Sequence, residues 1–206
     1  MALSPNGFDS RTGKLYDVRM SQSFTPSEPH ETLALSPHPN GPVPNEISLD
    51  VAIERTTSGL KLRYHLEISE ERLALPDAAE AARADDLWQT TCFELFLRRP
   101  GESAYEEFNF SPSYRWAAYR FRDVREGMTP LELPAPPVIG LDASASHFAL
   151  EAELVLPFEW RVKALEAAVS AVIETMDGEK SHWALAHPGA QPDFHDPGSF
   201  VLKLPA

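Results

Sequence analysis

Cys92-Phe93-Glu94-Leu95-Phe96-Leu97-Arg98 is the stretch whose reading decides the fold. Phe93, Leu95 and Leu97 alternate with Cys92, Glu94 and Phe96, so both faces of an extended segment here are largely apolar. A strand of that kind needs cover on both sides and lies centrally in a sheet. Glu94 is the exception, because a carboxylate on the Cys92–Phe96 face is costly unless it is paired or held in a solvated concavity. Tyr105-Glu106-Glu107-Phe108-Asn109-Phe110-Ser111 repeats the theme, with Tyr105, Glu107 and Asn109 opposite Glu106, Phe108 and Phe110. Arg115 to Arg122 then sets Trp116, Ala118 and Arg120 opposite Ala117, Tyr119 and Phe121. Short linkers carrying Pro, Gly and Ser separate the three runs, which read as successive strands.

The same period extends outward on both sides. Ile47, Leu49, Val51 and Ile53 alternate with Ser48, Asp50 and Ala52, and Leu60 to Ile68 alternates in the same way after a turn at Thr56–Gly59. These two runs predict an antiparallel hairpin with one wet face. Asp77–Asp85 is alanine-rich and predicts a short helix within a long loop. A proline-rich crossover covers Thr129–Gly140, Phe148–Leu156 predicts a strand, and Phe158–Ala168 a short helix. Val169–Thr175 has mixed preferences; the Asp177-Gly178 turn and a partner at Ser181–Ala186 favour a strand in a hairpin. Ser199–Leu204 closes the chain. About nine strands with one or two short helices predict a mostly β protein, an antiparallel, jelly-roll-like β-sandwich. Residues 35–206 form the expected domain. Residues 1–34 read as an irregular arm, rich in turn residues that continue to about Asn45.

Composition narrows the function. Nineteen prolines and ten glycines in 206 residues suit many short elements joined by turns. A formal charge of −13 repels phosphate backbones and argues against a nucleic-acid partner. Cys92 is the sole cysteine, so no internal disulfide forms, and its mid-strand place predicts an inert buried thiol. No basic stretch followed by an apolar run opens the chain, and no apolar run reaches membrane-spanning length. Those readings predict no membrane partner and a cytoplasmic location by default, with export by another route left open.

Glu94, Glu107 and Asn109 are expected to converge, either between sheets or on one concave face, with Trp and Arg side chains nearby. That mixture suits a hydroxyl-rich ligand: rings cover its C–H faces, while carboxylates, amides and guanidinium groups take its hydroxyls. The plainer alternative is that the aromatic residues are core and that Glu94 pairs with Arg98, Arg115 or Arg120. His182, His187, Asp193 and His195 supply metal-ligating residue types, but their spacing follows no zinc pattern. Glu94 and Glu107 could also serve as an acid–base pair for hydrolysis, although no nucleophile elbow or phosphate loop is present.

Asp86-Leu87-Trp88, Cys92–Leu97, Tyr105–Ser113 and Trp116–Tyr119, followed by His182–His187, Pro192–His195 and Ser199-Phe200, resemble the DOMON-like, family 9 type carbohydrate-binding module. The likeness spans roughly Leu35 to Leu204. It implies a β-sandwich that recognises a small sugar or glycoconjugate without catalysis. By that resemblance Trp88, Trp116 and Trp183 would stack on the sugar, while Glu94, Asn109 and Arg115 would hold its hydroxyls. No cofactor is expected, although the resemblance implies a structural calcium ion as an option. Some DOMON relatives bind haem through Met and His, for which Met128 and His182 are the matching residue types. A structural or protein-interaction module that has lost the ligand site, and a small hydrolase, stand as the alternatives; no protein partner is assigned.

Overall fold

The computed structural model describes residues 7–8, 15–16, 32–42, 46–69 and 71–206. The strands in chain order are β1 (Gly7–Phe8), β2 (Leu15–Tyr16), β3 (Thr32–Pro37), β4 (Ser48–Arg55), β5 (Gly59–Glu67), β6 (Cys92–Arg98), β7 (Tyr105–Phe110) and β8 (Trp116–Phe121). They continue as β9 (Thr129–Pro130), β10 (Val138–Ala143), β11 (His147–Val155), β12 (Leu165–Glu174), β13 (Lys180–Ala184) and β14 (Leu202–Leu204). Among the described residues, strands β1 and β2 pair with each other alone. The rest form one curled sheet in the order β10-β11-β5-β4-β3-β13-β12-β6-β7-β8-β9, with β14 also beside β12 and every pairing antiparallel.

Strand β3 is the fold's crease. Its first residues pair with β4 (Leu33 with Val51, Leu35 with Leu49), and its last pair with β13 (Ser36 with Ala184, Pro37 with Trp183). The sheet thereby doubles back on itself, and the two halves pack face to face as a sandwich. Leu60, Leu62, Tyr64 and Leu66 of β5 meet Phe93, Leu95 and Leu97 of β6 in one core. Tyr64 fixes their alignment: its ring lies 4.9 Å from that of Phe93, and its hydroxyl donates to the Glu94 carbonyl at 2.9 Å. Each large apolar side chain buried here contributes roughly 1.5–3 kcal/mol.

Several expectations are corrected. Strand β3 begins inside the range read as an arm and occupies the interior of the sheet; most of residues 1–34 lie outside the described residues. Asp77–Asp85 forms no helix. It runs extended beside β8, with Trp116 and Arg83 bridged and the Ala84 amide donating to the Trp116 carbonyl at 2.9 Å. Alanine's helix preference yields to backbone hydrogen bonds that a helix would forfeit. The helix after Pro157 is one turn, Phe158–Arg161, and β12 starts at Leu165. Both faces of β12 are buried, so pairing with β6 overrides the helical preference of its alanines and glutamate.

Gly59 opens β5 against the end of β11, where a Cβ would stand 2.0 Å from the Leu154 carbonyl oxygen and 2.8 Å from the Leu156 nitrogen. Both obstacles are backbone and cannot swing aside. Gly59→Ala is expected to lower unfolding stability by at least about 2 kcal/mol in denaturant titration. Gly178→Ala meets no neighbour and loses only the backbone preference of its φ of +84°, about 1 kcal/mol.

Candidate functional site

The half-sheet β13-β12-β6-β7-β8 has a second buried face, turned away from the core. Register places Ser170 of β12, Glu94 of β6 and Asn109 of β7 in one row across it. The next row is Ala168, Phe96, Glu107 and Tyr119. Glu94, Glu107 and Asn109 therefore do converge, on this outer face rather than between the sheets.

Two segments cover the face. The chain from Asp85 to Thr91 crosses its upper part, tethered where Tyr119 Oη donates to Asp85 Oδ1 at 2.6 Å and Lys180 Nζ donates to the Gln89 carbonyl at 2.5 Å. Trp88 sits between these tethers, in a 3₁₀ turn that touches β6 and β7, with 54% of its surface exposed. The C-terminal strap, residues 185–201, covers the lower part. Arg125 donates to Asp193 at 2.7 Å, and Tyr105 Oη lies 2.7 Å from His195 Nδ1. Since the Arg125 amide donates to Tyr105 Oη at 3.2 Å, the Tyr105 hydroxyl proton is free to point at His195. Phe96, Tyr105, Phe121 and Phe200 form a separate apolar cluster under the strap, with Phe194 packed against it. Phe194 also lies 5.9 Å from the His182 ring.

The floor is polar and short of positive charge. Glu94 keeps 3% of its surface exposed and accepts from Ser170 Oγ at 3.2 Å. Asn109 Nδ2 donates to Glu107 at 2.7 Å. His195 Nε2 stands 3.8 Å from Glu107, beyond hydrogen-bonding distance. None of the arginines weighed as partners reaches Glu94: Arg98 pairs with Glu166 at 2.7 Å, and Arg120 pairs with Glu106 at 2.7 Å. Arg115 stands half-buried at the upper rim and has no ion pair among the described residues. Burial, then the neighbouring Glu107, pushes the Glu94 carboxyl up to about 8. Burial also raises Glu107, against the opposing pull of Asn109 and Arg125. Burial drives His195 down to about 4, with Arg125 adding to the effect, so this imidazole is neutral. Cys92, fully buried beside Asn109, is raised by burial and by both carboxylates and is no nucleophile.

Trp88, Glu94, Asn109 and Arg115 thus share this face or its rim. Trp116 and Trp183 do not. Both point into the core, 8% and 3% exposed, where Arg83 stacks 4.8 Å from the Trp116 ring centroid and Trp183 Nε1 donates to Ser181 at 2.8 Å. The register makes this unavoidable, because Trp116 pairs with Phe110 and Trp183 with Ala171, both core-facing. Such enclosed rings present no free face to a sugar, so the stacking expected of these two is corrected. Met128 is exposed on the loop before β9, whereas His182 lies on β13, four strands from β8, or roughly 19 Å. No cluster of His, Cys, Asp and Glu fit to hold a metal ion occurs among the described residues, and no residue is assigned to calcium. No helix among them is long and apolar enough to cross a membrane. Sequence reasoning passed over Ser170, Phe194 and His195 as site residues. The Pro192–His195 block marked the strap, but only the fold brings it over Glu107.

A hollow of about 320 Å³ opens at the lower end of the same face, lined in part by Glu102, Tyr105, Asp123, His195 and Phe200. It lies on the far side of His195 from Glu94.

The same sandwich occurs in a candidate carbohydrate-binding protein from Bacteroides uniformis, which matches 83% of this chain and 84% of its own at 15% identity, with a TM-score of 0.58. The two chains share a fold. A family 9 carbohydrate-binding module from Caldicellulosiruptor kristjanssonii, solved with cellotriose and with glucose, matches 74% of this chain at 10% identity. It covers 72% and 74% of those chains, with TM-scores of 0.44 and 0.43, a likeness too slight to place any residue. No protein-family model matches this sequence, and no curated protein does.

The Glu94 carboxyl makes stability depend on pH with a definite sign. Its folded value of about 8 lies above the ordinary 4.5, so its contribution is fully present below about pH 4.5 and is lost as pH rises toward 8. Glu94→Gln is expected to match wild type near pH 5 and to exceed it by a few kcal/mol near pH 9, measured by denaturant titration at each pH.

Proposed function

We propose that this protein binds a small sugar or glycoconjugate on the outer face of the β12-β6-β7-β8 sheet, without transforming it. The observation that carries the reading is an exposed indole in a turn that touches β6 and β7, beside a buried polar row. An exposed Trp88 stands over a floor of Glu94, Asn109, Glu107 and Ser170, and Phe194 lines the strap that bounds it below. An indole can lie on the C–H face of a pyranose while the floor exchanges hydrogen bonds with its hydroxyls. Arg115, half-buried with no ion-pair partner among the described residues, adds donors at the rim. The fold shared with the Bacteroides uniformis protein, itself a candidate carbohydrate binder, supports the same reading.

The floor supports binding without turnover. Hydrolysis would need one carboxyl to reach the leaving oxygen and the other to reach the anomeric carbon or a water molecule. Glu94 and Glu107 instead lie on neighbouring strands beneath one cover, 3% and 7% exposed.

That low exposure also favours a second reading, a structural or interaction module with a closed floor. Calorimetric titration with a panel of neutral mono- and disaccharides separates the two. Under the binding reading Trp88→Ala weakens the best sugar at least about tenfold while its melting temperature stays near wild type, because an exposed ring contributes little to the core. Trp183→Ala costs about 3–5 kcal/mol of stability. A folded protein that binds no sugar at millimolar concentration, with Trp88→Ala indistinguishable from wild type, would establish the closed module instead.

A further inference from the structure

Resting on the carbohydrate reading, we propose that Glu94 enters the site as a neutral carboxylic acid, a hydrogen-bond donor that selects a ligand presenting an acceptor oxygen and makes its binding depend on one retained proton. A carboxylate can only accept, from a sugar hydroxyl, whereas the neutral acid also donates and so can pair with a sugar's ring or glycosidic oxygen, which is an acceptor only, as well as with its hydroxyls.

The geometry leads there by counting. Two carboxyl groups, Glu94 and Glu107, stand one residue pair apart on adjacent strands of one buried face. Among the described residues, the donors that reach them are the Ser170 hydroxyl, on Glu94, and the Asn109 amide, on Glu107. Two buried anions with two neutral donors and no bonded cation are unsustainable, whereas one anion and one acid are not.

The surrounding groups reinforce this. From β6, the Cys92 thiol, raised by burial and then by both carboxylates, is uncharged and brings no compensating positive charge. From β7, Tyr105 is committed to His195; from β8, Tyr119 is committed to Asp85, whose neighbour Asp86 is a further carboxylate. On β13, burial lowers His182, with His38 and His187 adding to the effect, so it brings no cation near neutral pH. On the strap, Asp193 occupies the Arg125 guanidinium at 2.7 Å and His195 is neutral. Arg115 stands two strands from Glu94, roughly 10 Å across the sheet. Glu107 is the better-placed anion, since Arg125 acts on it favourably, whereas the charged neighbour that acts on Glu94 is another carboxyl.

The test uses the full chain and two readouts. Infrared spectra near neutral pH are expected to show a protonated-carboxyl C=O band in wild type that Glu94→Gln lacks. Calorimetry with the tightest-binding methyl glycoside or disaccharide of the panel is expected to show affinity falling about thirtyfold between about pH 6.5 and about pH 9.5, as the acid of value about 8 is lost. Glu94→Gln, whose amide donates at every pH, is expected to show no fall in its own affinity over that range. Glu107→Gln removes the like charge and is expected to move the loss of binding to lower pH. Wild-type binding that is flat with pH, a missing acid band, or a Glu107→Gln midpoint that stays in place or rises would overturn this inference and leave the sugar-binding reading standing. A folded wild type that binds no sugar at any pH would overturn both.

Discussion

The β6 strand is buried on both faces, and the rest of the structure depends on that constraint. Its Phe93–Leu97 side is satisfied by the opposing half of the sandwich, with Tyr64 as the central contact. Its Cys92–Phe96 side needs a second cover, which no regular element supplies. The Asp85–Thr91 segment and the C-terminal strap provide it, each held by a few polar tethers rather than by a continuous hydrogen-bonded ladder. Beneath that cover the polar side chains Glu94, Asn109 and Ser170 are buried.

Polarity on the second face is graded along the strands. At the lower end Phe96, Tyr105, Phe121 and Phe200 pack as rings in mutual contact, including a Tyr105–Phe121 stack at 4.8 Å, and the strap is well anchored. Toward the upper end Glu94, Asn109 and Ser170 replace them, and the cover is a three-residue turn carrying an exposed indole. An all-apolar row there would be more stable, since a buried carboxyl with one neutral donor is a cost to folding. The chain bears that cost in one row, beside the solvent-facing ring best suited to a ligand.

Much of this was legible in the residues. The two-sided apolar pattern of Cys92–Arg98 placed it centrally, and alternation in Ile47–Ile68 placed the β4–β5 hairpin, because period-2 burial follows directly from strand geometry. Glu94, Glu107 and Asn109 were assigned to one face correctly for the same reason. Three readings failed for an equally physical reason. Thr32–Pro37 has too few apolar residues to announce a strand, yet it becomes interior by pairing with β4 and β13, partners that only long-range folding supplies. The alanines of Asp77–Asp85 and of β12 spoke for helix, and tertiary pairing overruled them.

The tryptophans mark the boundary between the two kinds of knowledge. Sequence by itself determined that the protein is an antiparallel β-sandwich, and that a carboxylate and an amide share a face with a largely apolar strand, because alternation is a local property. It left open which side of the sandwich any strand turns to a partner, since a strand's two faces are equivalent until register and cover are set. Tertiary structure decided that Trp116 and Trp183 are core, that Trp88 is exposed above the floor, and that Glu94 has a hydroxyl and another carboxyl for neighbours instead of a guanidinium. Those outcomes depend on pairings tens of residues apart, and no window along the chain contains them.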